Sequence, residues 1–501
     1  MHPNQLDDRT LCLVYTTGRD VAGLLPADRE LLTYDIWTNL AHATMLAEMA
    51  PPVLTADELS RVKAALNDLD QQAADEAFEI DFGKPGASDA VEDVHFFVER
   101  HVCKHAGDEA GRKLHTARSR NDQVTTDLRL LVRDQTVYFA RQVAALGDVL
   151  LEQAREHHDV LMPGYTHHQH GAVSTLGFLW LAHAEALMRD LERLAAVARL
   201  ADRCPLGAVM SFGTSWPIDR ARVAELLGFG AVQVNNLDAV ASRGEIEASL
   251  VAALAQLMNH LAGLAQDLLL MTAEEFGFFR VADAFTTGSS VMPQKRNLDF
   301  AEVTKAKAAA IGGALQAMLG ISRGNLTGYN RDTQWTKTAL LDATREAALA
   351  PQIFARVLAT LAVDDAHRAT MLRQCRTGYL NAIDVADFLA ADKSVPFRTA
   401  HGVVKAAVDA ARAASPPIDA LTPTLINDAL AAAGLALRLT AAEVDALSDP
   451  MTNLSRRRNL GSPNPTETRR RADELAVELN RTSAEWAARA DRIRAARDAL
   501  R

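Results

Sequence analysis

The sequence predicts an all-α protein of several domains built around long, mutually packed helices. Three observations carry that expectation: apolar residues recur at helical spacing over very long stretches, Ala and Leu dominate a chain with only 5 % aromatic residues, and the intervening segments are polar and non-periodic. Helices far longer than the ~12-residue average must bury their apolar stripes against one another, so a bundle is the natural arrangement.

Residues 31–49 predict a helix ended by Pro51 and Pro52, and a second helix opens at Thr55, where Thr-Ala-Asp-Glu has the spacing of a capping box. From Val124 to Val160 the residues Leu128, Leu131, Val132, Phe139, Val143, Leu146 and Leu150 form one helical stripe, with no proline before Pro163. Further stripes over 175–200, 246–271 and 302–318 complete four long helices. From about residue 370 the pattern changes to shorter helices interrupted by Pro396, Pro416, Pro417 and Pro423. The expected organisation is an N-terminal helical domain over 1–114, a central long-helix domain over 115–369 and a small C-terminal helical domain over 370–501. The Ala-rich helix faces suit packing within a chain or between subunits, and both arrangements stay open.

A chain of 501 residues can bury a large core. Its net charge of -11 argues against nonspecific binding to nucleic acid or an anionic membrane, though a local cationic pocket is compatible with it. Cys12, Cys103, Cys204 and Cys375 are scattered without a CxxC pair, the pattern of small buried residues in a reducing, cytoplasmic setting. The segment MHPNQLDDRT lacks secretory-signal character, and no stretch approaches the ~20 apolar residues of a membrane helix. The run Arg456-Arg457-Arg458 reads as a solvated face.

Three polar loops interrupt the long helices: HTARSRNDQ (115–123), MPGYTHHQH (162–170) and TTGSSVMPQKRNLDFAE (286–302). Each combines hydroxyls or amides with a cation or an imidazole, the groups that hold carboxylates and move protons. Ser119, Arg120 and Asn121 either cap the helix beginning near Asp122 or bind a carboxylate with its N-terminal amides. His167, His168 and His170 lack the i, i+4 spacing of helical metal ligands, so no metal is expected there. Gly288 precedes Ser289 and Ser290 and suggests a strained or mobile turn. Ser289 has no GxSxG elbow, but backbone amides and Lys295 could stabilise its alkoxide.

Together the three loops resemble a known family. GSSVMPQKRN is similar to the signature of the fumarase and aspartase superfamily, and HTARSRNDQVTTDLRL resembles its argininosuccinate lyase branch; EDVHFFVERHV, MPGYTHHQH, PIDRARVAELLGF, EFGFFRVADAFTTGSS, YNRDTQWTK and VPFRTAH extend the likeness over roughly residues 28–475. The resemblance implies a three-domain all-α subunit, a long central bundle shared in a homotetramer, and active sites built from three subunits. It implies cleavage of a carbon–nitrogen bond in an N-substituted aspartate, releasing fumarate and an amine, without cofactor or metal.

By the same resemblance Ser289 is the general base, Lys295 and Asn297 hold the carboxylate that gains charge, and Ser119, Asn121 and Thr166 complete the fumarate pocket. His167 and Glu302 look like the family's imidazole–carboxylate pair; the alternative for His167 is a supporting structural role. Arg120, Tyr329, Gln334 and Lys337 match positions that bind the amine half. Arg243 matches a further arginine near the fumarate side, with a surface ion pair as the alternative.

Departures from the family pattern concern the amine. A Trp-Gly-Gly-Arg-Phe segment is missing, and Leu24 stands where a serine is usual, four residues before Asp28. Ala117 replaces a glycine, Phe96-Phe97-Val98 a Thr-Ala-Asn stretch after His95, Asn236 a serine, Arg243-Gly244-Glu245 an Arg-Asp-Phe, and Leu298 a proline. Apolar side chains there would leave a buried guanidinium without partners. Argininosuccinate, or an aminocarboxylate relative such as a diamine-succinate, is therefore the expected substrate class. A noncatalytic, crystallin-like protein on the same fold is the rival reading, disfavoured because Ser289, His167 and Lys295 are all present.

Overall fold

The structure, a computed structural model, describes residue 8, residues 27–75, 77–80 and 93–501, and leaves the side chains of 27 and 28 undescribed. Leu24 and Cys12 lie outside the described residues. Helix α1 (Leu32–Glu48) is followed by α2 (Ala56–Ala73), whose start carries the expected capping box between Thr55 and Glu58. Next come α3 (Val94–Ala106), capped by Asp93, and the short α4 (Asp108–Lys113). Helix α5 (Arg120–Glu156) has 37 residues, about 55 Å at 1.5 Å per residue. A hairpin of β1 (Leu161–Thr166) and β2 (Gln169–Thr175) leads into α6 (Leu176–Ala201).

Two-residue strands β3 (Arg203–Cys204) and β4 (Ala231–Val232) pair in parallel around α7 (Arg220–Leu226), followed by α8 (Asn236–Ala241) and α9 (Glu245–Met271). The third polar loop is itself a hairpin of β5 (Thr287–Gly288) and β6 (Arg296–Asn297), and α10 (Asp299–Ile321) follows. The remaining helices are α11 (Trp335–Ala347), α12 (Ala350–Ala359), α13 (Asp365–Cys375), α14 (Ala382–Ala391), α15 (Phe397–Ala413), α16 (Pro423–Ala432), α17 (Ala441–Ser448), α18 (Pro450–Arg456) and α19 (Pro465–Leu500).

Helices α5, α6, α9 and α10 form the bundle. Hydrogen bonds fix their directions: His183 meets Asp267 at 2.9 Å and His260 meets Asp190 at 2.7 Å, so α6 and α9 run antiparallel, and Lys305 meets Gln266 at 2.7 Å, so α10 turns back along α9. The end of α5, the start of α6, the end of α9 and the start of α10 therefore share one end of the bundle. The start of α5, the end of α6, the start of α9 and the end of α10 share the other.

Two expectations about the C-terminal segment are corrected. The C-terminal segment is not made of short helices alone, because α19 has 36 residues and its Leu475, Leu479, Trp486, Ile493 and Leu500 join the main core against α5 and α6. That stripe is sparse within a strongly charged helix, which hides it in the sequence. Within the C-terminal segment, residues from Val385 to Leu447 form a small core of their own. The basic run is not simply solvated: Arg457 donates to the Val173 carbonyl at 2.7 Å and to Asp384 at 3.0 Å, tying this small unit to β2, while Arg456 pairs with Asp392.

Helix α9 is long and apolar enough to cross a membrane by length and composition, contrary to the sequence expectation; its apolar residues pack instead against α6, α10 and α11. Cys204 and Cys375 are buried, as expected, while Cys103 is half-buried, and all three are free thiols.

Candidate active site

The predicted residues fall into two clusters at opposite ends of the bundle. At the α5 start, Ser119 is the N-cap: its hydroxyl accepts from the Asn121 N–H at 3.3 Å, and the Asp122 carboxylate accepts from the Ser119 N–H at 3.0 Å. The capping alternative is thus realised. Asp122 is fully buried, and its second oxygen accepts from the N–H groups of Gly207 at 2.9 Å and Val209 at 2.7 Å. Burial pushes this carboxyl up to about 6, against the pull of the N–H groups of Val209, Ser119 and Gly207 and the charge of Arg118. One carboxylate thereby stitches the Ser119 turn to the 205–213 loop, where Val209 and Ser211 hold left-handed φ of 57° and 94°. A β-branched residue in that region is strained.

The same end gathers Tyr329, Gln334, Arg243 and Lys337. Ala208, Ala239, Val240 and Tyr329 pack together, and Gln334 donates to the Tyr329 hydroxyl at 2.6 Å. Arg243 is only 2 % exposed, its guanidinium 5.9 Å from the centre of the Tyr329 ring, which corrects the surface ion-pair alternative. Lys337 lies half-buried on α11, one turn after Gln334.

Arg120 is already engaged: it donates to Asp93 at 2.6 Å, lies 3.6 Å from Glu99 and stacks over the Phe96 ring at 5.3 Å. Of the Phe96-Phe97-Val98 departure only Phe96 reaches a site residue. Phe97 packs on Phe78 and His101, and Val98 is fully buried, so these two serve the core and do not line the site. Ala117 holds a left-handed φ of 56°, which explains why a glycine suits that position.

Beneath this turn lies an ionic network that the sequence reading passed over. His95 meets Asp127 at 2.9 Å and Asp93 at 3.6 Å, Asp127 accepts from Thr38 at 2.6 Å, Asp35 accepts from Asn39 at 3.0 Å and from Gln123, and Arg118 donates to Asn39 at 2.7 Å. Burial disfavours charge on His95, but Asp35, Asp127 and Asp93 outweigh it and push the imidazole up to about 10. Burial and the neighbouring Arg118 push His42, which meets the Thr116 carbonyl at 2.9 Å, down to about 3. Asp35, His95 and Asp127 offer ligand atoms within 4.8 Å of one another, yet each carboxylate oxygen already accepts a hydrogen bond, so an ion-pair network describes them better than a metal site. The available signal was the polar series Asp35, Asn39, His42 at spacings of four and three, a stripe on an otherwise apolar helix.

At the opposite end, His167 and His168 form the two-residue tip of the β1–β2 hairpin, with φ of 54° and 58°. Such a turn needs positive φ at both positions and normally takes Asn-Gly, so two imidazoles there are held against backbone preference. Thr166 pairs with Gln169 and, like His167, is exposed. Tyr165 packs 5.9 Å from Phe276 and 6.5 Å from Phe278, so the hairpin leans on the segment that leads into the serine loop.

In that loop the Ser289 hydroxyl oxygen accepts from the N–H groups of Met292 at 3.0 Å and Val291 at 3.2 Å. Asn297 donates to Thr287 at 3.4 Å, and Thr287 to Asp299 at 2.5 Å, pinning the hairpin to the start of α10. Gly288 does not hold a left-handed φ, and a Cβ there would meet nothing within 4 Å, so the strained turn expected at this glycine is not found. Leu298 is buried at the α10 start, and Asn297, Lys295 and Glu302 border a cavity of about 500 Å³ that also touches Arg280 and Asp283. His167 and Glu302 share this end but make no hydrogen bond to each other among the described residues, so the expected pair does not form within one chain.

Two family models match the sequence: one described as Lyase over residues 26–313, one as Argininosuccinate lyase C-terminal over 379–448. The chain belongs to the argininosuccinate lyase family. It is thus a carbon–nitrogen lyase with the all-α fumarase/aspartase fold. It is 41 % identical over 386 residues to argininosuccinate lyase of Thiobacillus denitrificans, covering 77 % of this chain and 80 % of the relative. It is 40 % identical over 380 residues to that of Desulforudis audaxviator, covering 76 % and 80 %. Among solved structures, EDDS lyase in complex with formate superposes with a TM-score of 0.84 at 26 % identity, covering 98 % of this chain and 94 % of that one. An EDDS lyase variant with bound fumarate gives the same score at 25 % identity, covering 100 % and 97 %.

Proposed function

We propose that this lyase cleaves an N-substituted aspartate, argininosuccinate or a close relative, by general-base elimination, and releases fumarate and an amine. Ser289 removes a proton from the carbon beside a carboxylate. The observation that carries this role is the pair of backbone N–H groups bonded to its hydroxyl oxygen, which favour the alkoxide over the alcohol. The carbanion places its charge on the adjacent carboxylate, where Lys295 and Asn297 stabilise it; such pre-oriented donors are usually the largest catalytic term. Ser119, Asn121 and Thr166 hold the fumarate half. His167, polarised by Glu302, handles protons on the amine side. Arg120, Tyr329, Gln334, Lys337 and Arg243 receive the amine half.

This assignment requires more than one subunit. The Ser119 and Ser289 clusters sit at opposite ends of a bundle built on a helix of 37 residues, about 55 Å, too far to touch one substrate. Antiparallel association of bundles brings unlike ends together, which supports a homotetramer with sites shared by three subunits. A soluble, cytoplasmic enzyme needing no cofactor or metal is the setting we propose.

The name of the EDDS lyase that superposes over nearly the whole chain, and Phe96 beside Arg120, favour a second reading, in which the amine half is an aminocarboxylate. Ultraviolet assay of fumarate release from argininosuccinate and from aminocarboxylate succinates separates the two. Fumarate from neither would sink the proposal.

A further inference from the structure

Between α1, α5 and α19, away from both loop clusters, lies a cleft of about 600 Å³ lined by Trp37, Tyr138, Ile493, Arg141, Arg494 and Arg497. That volume lies within the ~300–1,000 Å³ of small-molecule sites. Its charge is lopsided. Arg494 pairs with Asp491 at 3.0 Å and Arg497 with Asp70 at 3.0 Å, while Arg141 makes no hydrogen bond or ion pair among the described residues. The acid of the lining, Asp134, accepts from the Tyr34 hydroxyl at 3.1 Å, one carboxylate against the three guanidinium groups of Arg141, Arg494 and Arg497. Trp37 is 2 % exposed, and its indole N–H has no acceptor among the described residues.

We infer that this cleft is a second small-molecule site, distinct from the lyase centre, which takes a flat apolar molecule bearing an oxyanion. The aromatic and aliphatic side chains give a flat body a surface to cover, and guanidinium groups match carboxylate or phosphate oxygens in a bidentate fork. Carboxylate and phosphate share that chemistry. The site touches the scaffold of the Ser119 turn, because α1 carries both Trp37 and the Asn39 and His42 that hold Arg118 and the Thr116 carbonyl.

Calorimetric titration of the full-length protein with indole-3-acetate, adenosine monophosphate and inorganic phosphate tests this. At least one organic probe is expected to bind once per chain, at least tenfold tighter than phosphate; which one binds tells carboxylate from phosphate. Arg141→Glu should weaken it tenfold or more, and Ala490→Trp, which fills the cleft without changing charge, should do the same. Both variants should keep the fumarate-forming rate. No binding of either organic probe overturns the inference. So does binding no tighter than phosphate, which means an adventitious ion only, or binding unaltered in both variants.

Discussion

The two ends of the bundle are built on opposite principles. The Ser119 end rests on buried charge: Asp122, Asp127, Asp35, His95 and Arg118 are each at most 6 % exposed, and each makes at least one hydrogen bond. The Ser289 end consists of exposed hairpins held by a few local bonds, with His167, Lys295 and Glu302 open to solvent. One end is pre-organised within the chain, and the other has its reactive groups displayed to solvent. A rigid end and an end with exposed side chains suit a reaction in which one part of the substrate is held in place while substrate and product pass.

The largest expected effect separates chemistry from scaffold. Ser289→Ala should cut kcat by about 10²–10⁴-fold, the usual worth of a positioned base, with melting temperature unchanged, since only its own loop loses contacts. Refolding Ser289→Ala chains together with Asn121→Ala chains should then restore activity, because mixed oligomers contain sites with both ends intact. A mixture as inactive as its parents would break the shared-site reading.

Next in size, Asp122→Ala should destabilise the protein by about 3 kcal/mol, since three backbone N–H groups lose their acceptor. Chemical denaturation measures this, and a loss below about 1 kcal/mol would mean the turn holds without its carboxylate. For His95 the folded-state value, about 10, lies above the ordinary 6.5, so its contribution is fully present below pH 6.5 and fades as pH rises through 10. Melting temperature should fall between pH 7 and 10, and His95→Gln should flatten that slope. The smallest effect is a gain: Ala117→Gly should add about 1 kcal/mol by relieving the left-handed backbone.

Most of the helical scaffold was legible in the sequence because its apolar stripes are long and regular. The α5 stripe and the Thr55 capping box are found where periodicity and spacing put them. The C-terminal helix was missed because its core contacts recur only every four to seven residues among many arginines and glutamates. In the candidate site, loop chemistry identified the groups but not their surroundings. Nothing local in SRND reveals that Asp122 reaches across to Gly207 and Val209, because that bond spans 85 residues. Nor does FFV reveal that one ring meets Arg120 while its neighbours are core; that depends on which face of α3 turns inward.

The final helix has a consequence for how the molecule is made. Its contacts reach back very far along the chain, from Asp473 to Arg155 across 318 residues and from Arg497 to Thr33 across 464. During synthesis at roughly 5–20 residues per second, the apolar flank of α5 that α19 covers stays open until nearly everything else has emerged. Such nascent chains expose a sticky groove for tens of seconds, and chaperone capture or premature pairing with another chain's helix would compete with correct closure.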